Sequence, residues 1–125
     1  MMQNINKSTL VVGASSNPER YSYKALNLLV QKGIDVYAQG LREESVAGVP
    51  VHKDFSQVPN QIDTITLYLN PQRQTEIIPT LLALHPRRII FNPGTENDAL
   101  RIAAESQGIE TLEACTLVLL STGAY

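Results

Sequence analysis

Short apolar and β-branched runs alternate along this chain with segments of helical period, and that alternation restricts the fold more than any other feature. Thr9–Val12, Asp35–Ala38, Asp63–Leu69, Arg88–Phe91 and Glu110–Glu113 read as strands. Between them, Ser22–Lys32 places Ala25, Leu26, Leu29 and Val30 on one helical face. Gln72–Leu84 repeats the pattern, with Pro79 predicting a kink and a regular helix only from near Glu76. Thr95 or Asn97 starts a third helix to about Gln107, with Leu100, Ile102, Ala103 and Ala104 inward. Strands separated by helices pair in parallel through crossovers, which predicts a doubly wound α/β sheet. A chain of 125 residues is the size of one such domain.

Punctuation supports these boundaries. Ser22 is the expected N-cap of the first helix, and Gly33 and Gly108 the expected helix stops. Gln39–Gly48 reads as a polar loop, Pro50–Val51 as a short extended piece and Asp54–Val58 as one helical turn. Asn70-Pro71 marks a turn, and Asn92-Pro93-Gly94 a loop. Thr116–Leu120 fits a short helix or a last strand equally well.

Composition narrows the function classes. A net charge of −2 points away from nucleic acid and from membrane surfaces. The polar start MMQNINKST lacks a signal-peptide core, and no apolar run is long enough to span a bilayer. The lone Cys115 permits no internal disulfide and fits a reducing, cytoplasmic setting.

A doubly wound sheet binds ligands beyond the carboxyl ends of its strands, so the loops after those ends carry the functional expectation. In the first, VVGASSNPERYS, Gly13 and Ala14 allow close backbone approach, and Ser15, Ser16 and Ser22 offer hydroxyls. Arg20 adds a planar cation, and the following helix adds free N–H groups. Together they suit a pyrophosphate, although a strand-to-helix turn needs small residues anyway. Enzymes that use NAD carry an acid at the end of the second strand. Here that place reads Ala38-Gln39-Gly40, with Arg42 close behind. A missing acid beside an arginine suits a ribose that carries a phosphate, as in NADP or coenzyme A.

With these residues in view, GASSNPERYSYKALNLLVQKGIDVY resembles the start of the small stand-alone CoA-binding proteins. Those are similar to the N-terminal domain of the succinyl-CoA synthetase α-subunit. The likeness continues through AGVPVHKDFSQVPNQIDTITLYLNP, the helix ending in Gly108-Ile109, and Cys115, so it spans nearly the whole chain. It implies a Rossmann-like fold with CoA or acyl-CoA lying across the first loop and the end of the second strand. Phosphate contacts are implied at Gly13, Ala14, Ser15, Arg20 and Ser22, and packing near the adenine or pantetheine arm at Asn70 and Pro71. Gln39, Gly40 and Arg42 fall at the mouth of the same site. The chain departs from the family's usual pattern in AQGL (residues 38–41) and in FNPG (residues 91–94).

Catalysis and metal binding find little support. His52 has no evident partner in the sequence, and His85 sits at a helix end favoured by the dipole alone. Cys115 reads as a small buried hydrophobe, and Glu43-Glu44 as a solvated loop. Tyr21 and Tyr23 flank the first loop, where one could stack on a base or simply pack its own helix. The leading expectation is a non-enzymatic CoA-binding module. An NADP-dependent reductase, and an interaction protein whose nucleotide site has decayed and which self-associates or binds a partner, stand beside it.

Overall fold

The computed structural model describes residues 7–125; the polar N-terminal stretch through residue 6 lies outside the described residues. Four runs form strands where expected: β1 (Thr9–Ala14), which runs two residues past its expected end and takes in Gly13 and Ala14, β5 (Thr64–Leu67), which is shorter than Asp63–Leu69, β6 (Arg88–Phe91) and β7 (Glu110–Glu113). Every residue of β5 and β6 is buried. A strand covered on both faces needs such continuous burial. The second strand, β2 (Val36–Gly40), runs two residues beyond its expected end, so Gln39 and Gly40 belong to the sheet rather than to a loop.

The polar stretch after it also pairs. β3 (Glu44–Val46) and β4 (Val49–His52) form an antiparallel hairpin closed by Val46 opposite Val49. Its two turn residues, Ala47 and Gly48, have φ of 53° and 81°. Positive φ at both centres is the turn geometry that matches strand twist. The sheet order is β3-β4-β2-β1-β5-β6-β7. All pairings other than that of the hairpin are parallel.

The first helix, α1 (Tyr21–Gln31), buries Ser22, Ala25, Leu26 and Leu29. Its N-cap is Arg20, not Ser22, which lies inside the first turn at 3% exposure. Val30 is exposed, because the stripe that faces the sheet is narrower than the apolar pattern suggests. Pro79 breaks the second helical segment into α2 (Pro71–Gln74), a 3-10 turn (Thr75–Ile77) and α3 (Ile78–Ala83). Proline then sits in the opening turn of α3, where its missing N–H costs nothing. Asn97 caps α4 (Asp98–Ser106), accepting from the Leu100 amide at 3.2 Å. Within α4 only Leu100 and Ala104 are fully buried, and Ile102 faces solvent. The undecided run becomes a helix, α5 (Thr116–Thr122). Asp54–Val58 makes a turn closed by Val58 N–H on the Phe55 carbonyl, not a helix.

Two apolar clusters sandwich the sheet. Val11, Ala38, Leu26, Leu29 and Leu120 pack on the α1–α5 face, whereas Leu10, Val12, Leu67, Leu81, Phe91 and Leu100 pack on the α3–α4 face. The result is the expected doubly wound, Rossmann-like α/β domain. The chain winds from β1 through β2 to β4, then returns to place β5 against the other side of β1. Strand order therefore reverses between β1 and β5, which marks their carboxyl ends as the place where sheets of this kind form a ligand crevice.

Candidate functional site

The floor of this crevice is backbone packed to the limit. Gly13 has φ of 91°, and a Cβ there would stand 3.0 Å from the Tyr68 carbonyl carbon. Glycine at this position lets β1 and the end of β5 lie side by side. The register of β1 on β2 slips between Val12 and Ala14, which brings Ala14 opposite Gly40. A Cβ on Gly40 would meet the Ala14 carbonyl oxygen at 2.4 Å. Of the expected site residues, Gly13, Ala14 and Gly40 thus shape the strand ends.

The loop above them is organised by its own short side chains. Ser15 Oγ accepts from the Asn17 amide at 3.0 Å, and Asn17 Oδ1 from the Glu19 amide at 3.0 Å. Ser16 and Arg20 are exposed. The α1 N-terminus has no side-chain cap, so its first amides are left for solvent or a ligand. Arg20 at this end and Arg42 after β2 form no salt bridge among the described residues. Tyr21 is exposed with Lys24 against its ring, while Tyr23 packs on the α1–α5 face.

Gln39 closes the β2 side. Its Nε2 donates to the carbonyls of Lys53 at 3.0 Å and Gly40 at 3.3 Å, which fixes the amide's orientation. Its Oε1 is buried without a partner. Asn70-Pro71, expected as a turn, is instead a helix start. Asn70 Oδ1 accepts from the Arg73 amide at 2.9 Å, and Pro71 opens α2.

Two buried amides that the sequence reading passed over stiffen the far side. Asn92, after β6, donates from Nδ2 to Thr66 Oγ1 at 2.7 Å and to the Leu67 carbonyl at 2.9 Å. Its Oδ1 accepts from the Thr116 amide at 2.8 Å. Thr66 and Thr116 share a hydroxyl bond of 2.8 Å. Gln74 donates to the carbonyls of Leu69 and Thr95, both at 2.8 Å, and accepts from Asn97 Nδ2 at 2.9 Å. Tyr68 lies beside this network. Burial pushes its phenol up to about 12, against the pull of hydrogen bonds with Thr66 and Thr116. The sequence signal for both amides was a polar residue directly after or near the end of an apolar strand, and FNPG holds one of them.

Other candidates fall elsewhere. His52 does have a partner: its Nδ1 lies 2.8 Å from Glu43 Oε1, so Glu43 is not simply solvated. His85 is exposed just past α3 with φ of 51°. Cys115 is half-buried at the N-cap of α5 rather than a fully buried hydrophobe. No cluster of metal-ligating side chains occurs among the described residues. No helix among them is long and apolar enough to cross a membrane.

Against known proteins, residues 7–121 match the model of the CoA-binding domain family. The chain belongs to that family. A solved structure described as an uncharacterized protein shares 39% identity with this CoA-binding domain at a TM-score of 0.91, covering 98% of this chain and 100% of that one. A hypothetical protein from Pyrococcus horikoshii OT3 has TM-score 0.84 and 23% identity, covering 94% of this chain and 83% of its own. The dinucleotide-forming acetyl-coenzyme A synthetase 1 of Ca. Korarchaeum cryptofilum, solved with phosphate and ADP, has TM-score 0.71 and 19% identity. There the likeness covers 86% of this chain but 25% of the synthetase, and it speaks for the fold alone. No curated protein matches the chain.

Proposed function

We propose that this CoA-binding domain is a stand-alone module that captures coenzyme A, or an acyl-CoA, without covalent chemistry. One observation carries the reading. An uncapped helix N-terminus follows β1, with Arg20 as its N-cap residue, and Arg42 follows β2; both are free of salt bridges among the described residues. Helix amides and their dipole favour an anion at this place. In this reading the pyrophosphate rests on the backbone of Gly13–Ser16 and the first amides of α1, with Arg20 beside it. Arg42 takes the ribose 3′-phosphate. Gln39 and the Asn70-Pro71 start of α2 border the adenine or pantetheine arm. The groups available here are hydroxyls, amides and guanidiniums, which bind and orient but do not exchange protons near neutral pH. Capture of a cytoplasmic metabolite by a small domain, alone or self-associated, fits this inventory.

Isothermal titration with CoA, 3′-dephospho-CoA and NADP tests the reading. Binding of CoA that weakens with the dephospho form supports it. Preference for NADP over CoA replaces it with a reductase. Absence of heat with all three leaves an interaction protein in which Ala38–Leu41 and Phe91–Gly94 no longer admit a nucleotide.

A further inference from the structure

Outside the crevice, the face of β2 and β4 opposite α1 is covered by the connection from β4 to β5 and not by a helix. Phe55 and Val58 from that connection pack near Tyr37 on the edge of the core. Under it lies a cavity of ≈ 220 Å³. Its walls include Tyr37, Pro50 and Val58, and its polar lining includes His52 and the solvent-exposed Asp54 and Gln57. Cavities of about 150 Å³ already accept a benzene ring. None of the residues assigned above to CoA lines this space.

The polar lining is oriented by contacts outside the cavity. Glu43 holds the His52 ring at Nδ1 with Oε1 (2.8 Å) and accepts from the Lys53 amide with Oε2 (2.7 Å). The Lys53 amide, and then the His52 ring, hold the Glu43 carboxyl below its ordinary range, so it stays an acceptor. Against a carboxylate, Nδ1 of a neutral His52 carries the hydrogen and Nε2 is left as an acceptor. Asp54 commits one oxygen to the amide of Ser56 at 3.0 Å and its hydroxyl at 2.7 Å. The other Asp54 oxygen has no partner among the described residues. The cavity therefore combines an apolar wall with acceptors, and the carboxylates of Glu43 and Asp54 outnumber the one neighbouring ammonium, that of Lys53.

We propose that this cavity is a second binding site, for a flat, ring-sized organic cation. Its ring would lie against Pro50, Val58 and Tyr37, and its N–H groups would donate to Asp54 and to Nε2 of His52. The site is independent of the CoA reading.

Titration of the intact protein with benzamidine, followed by proton–nitrogen correlation NMR, tests it. The expected result is saturable shifts at the amides of Lys53, Asp54 and Gln57 at millimolar probe, with those of Ser15–Arg20 unmoved. Benzoate, of similar shape and opposite charge, is expected to produce none. Asp54→Asn still accepts from Ser56 but removes the charge, and His52→Ala removes the ring acceptor. Each is expected to weaken benzamidine at least about ten-fold. Failure to saturate, equal shifts with benzoate, or unchanged affinity in both variants overturns the proposal. None of those results touches the CoA titration.

Discussion

Gly40 lies so close to Ala14 that a single methyl on its Cα would sit 2.4 Å from the Ala14 carbonyl oxygen and 2.9 Å from Val51 Cγ1. Neither the Ala14 backbone nor the β1–β2 ladder can yield without parting the two strand ends that floor the crevice. Gly40→Ala is expected to destabilise the domain by about 1–3 kcal/mol, the usual cost of overpacking. Gly33→Ala, at φ of 77° with nothing within 4 Å of the added carbon, is the control and costs only left-handed backbone strain of about 1 kcal/mol. Urea denaturation of both variants measures the difference.

Ala47 occupies a left-handed position with φ of 53° next to Gly48. Two-residue hairpins of this kind prefer Asn or Gly there. Ala47→Asn is expected to stabilise the protein by about 0.5–1 kcal/mol through relief of that strain. A higher urea midpoint with unchanged slope is the confirming result.

Arg20 and Arg42 are exposed, so their removal leaves stability within about 0.5 kcal/mol. If they hold phosphates, Arg20→Ala weakens CoA about ten-fold, equivalent to about 1.4 kcal/mol. Arg42→Ala makes CoA and 3′-dephospho-CoA bind alike. Calorimetric titration of each variant with both ligands reads the two effects separately. Retained discrimination in Arg42→Ala would assign the 3′-phosphate to another group.

Burial raises the Tyr68 phenol from its ordinary value of 10.0 to about 12. The neutral form is the one that fits the folded protein. Its contribution is complete below the ordinary tyrosine range and is lost as pH rises through that range toward the folded value. The loss amounts to an effect on the order of 2 kcal/mol. Tyr68→Phe is expected to flatten this alkaline decline, seen as denaturant midpoints followed from neutral pH upward. Phenolate absorbance in the wild type should show Tyr68 and Tyr125, both raised by burial, ionising above the ordinary tyrosine range.

Much of the fold was legible because the strands that matter most are buried on both faces. Thr64–Leu67 and Arg88–Phe91 announce themselves by continuous burial-prone runs, and Gly33 and Gly108 end helices at positive φ as expected. The hairpin was not legible. Glu44-Ser45-Val46 buries only its valine, and its pairing depends on an Ala47-Gly48 turn that resembles an ordinary loop. Ser22 misled because a serine near a helix start usually caps it, whereas here the turn places Arg20 at that position and buries Ser22. The candidate site was legible in part on its first side: Gly13 and Ala14, expected in the loop, end β1, and Arg20 sits at the N-cap of α1. Its far side was not, because Asn92 and Gln74 act on partners more than twenty residues away, or on loops from two strands. No local pattern encodes such pairings.

The Asn92 side chain, at the exit of β6, bonds β5 and α5 at once. Breaking any one of those elements away strands buried donors or acceptors on the others, each a loss of about 1–3 kcal/mol. The three should therefore open as one cooperative unit, with amide hydrogens of Thr66, Leu67 and Thr116 exchanging last and at a common rate. The β3–β4 hairpin, at the edge of the sheet and paired to β2 at Ala38–Val51 and Gln39–His52, should exchange far sooner. Asn92→Ala would split the slow group into separate rates, which turns a single side-chain amide into the determinant of how the domain comes apart.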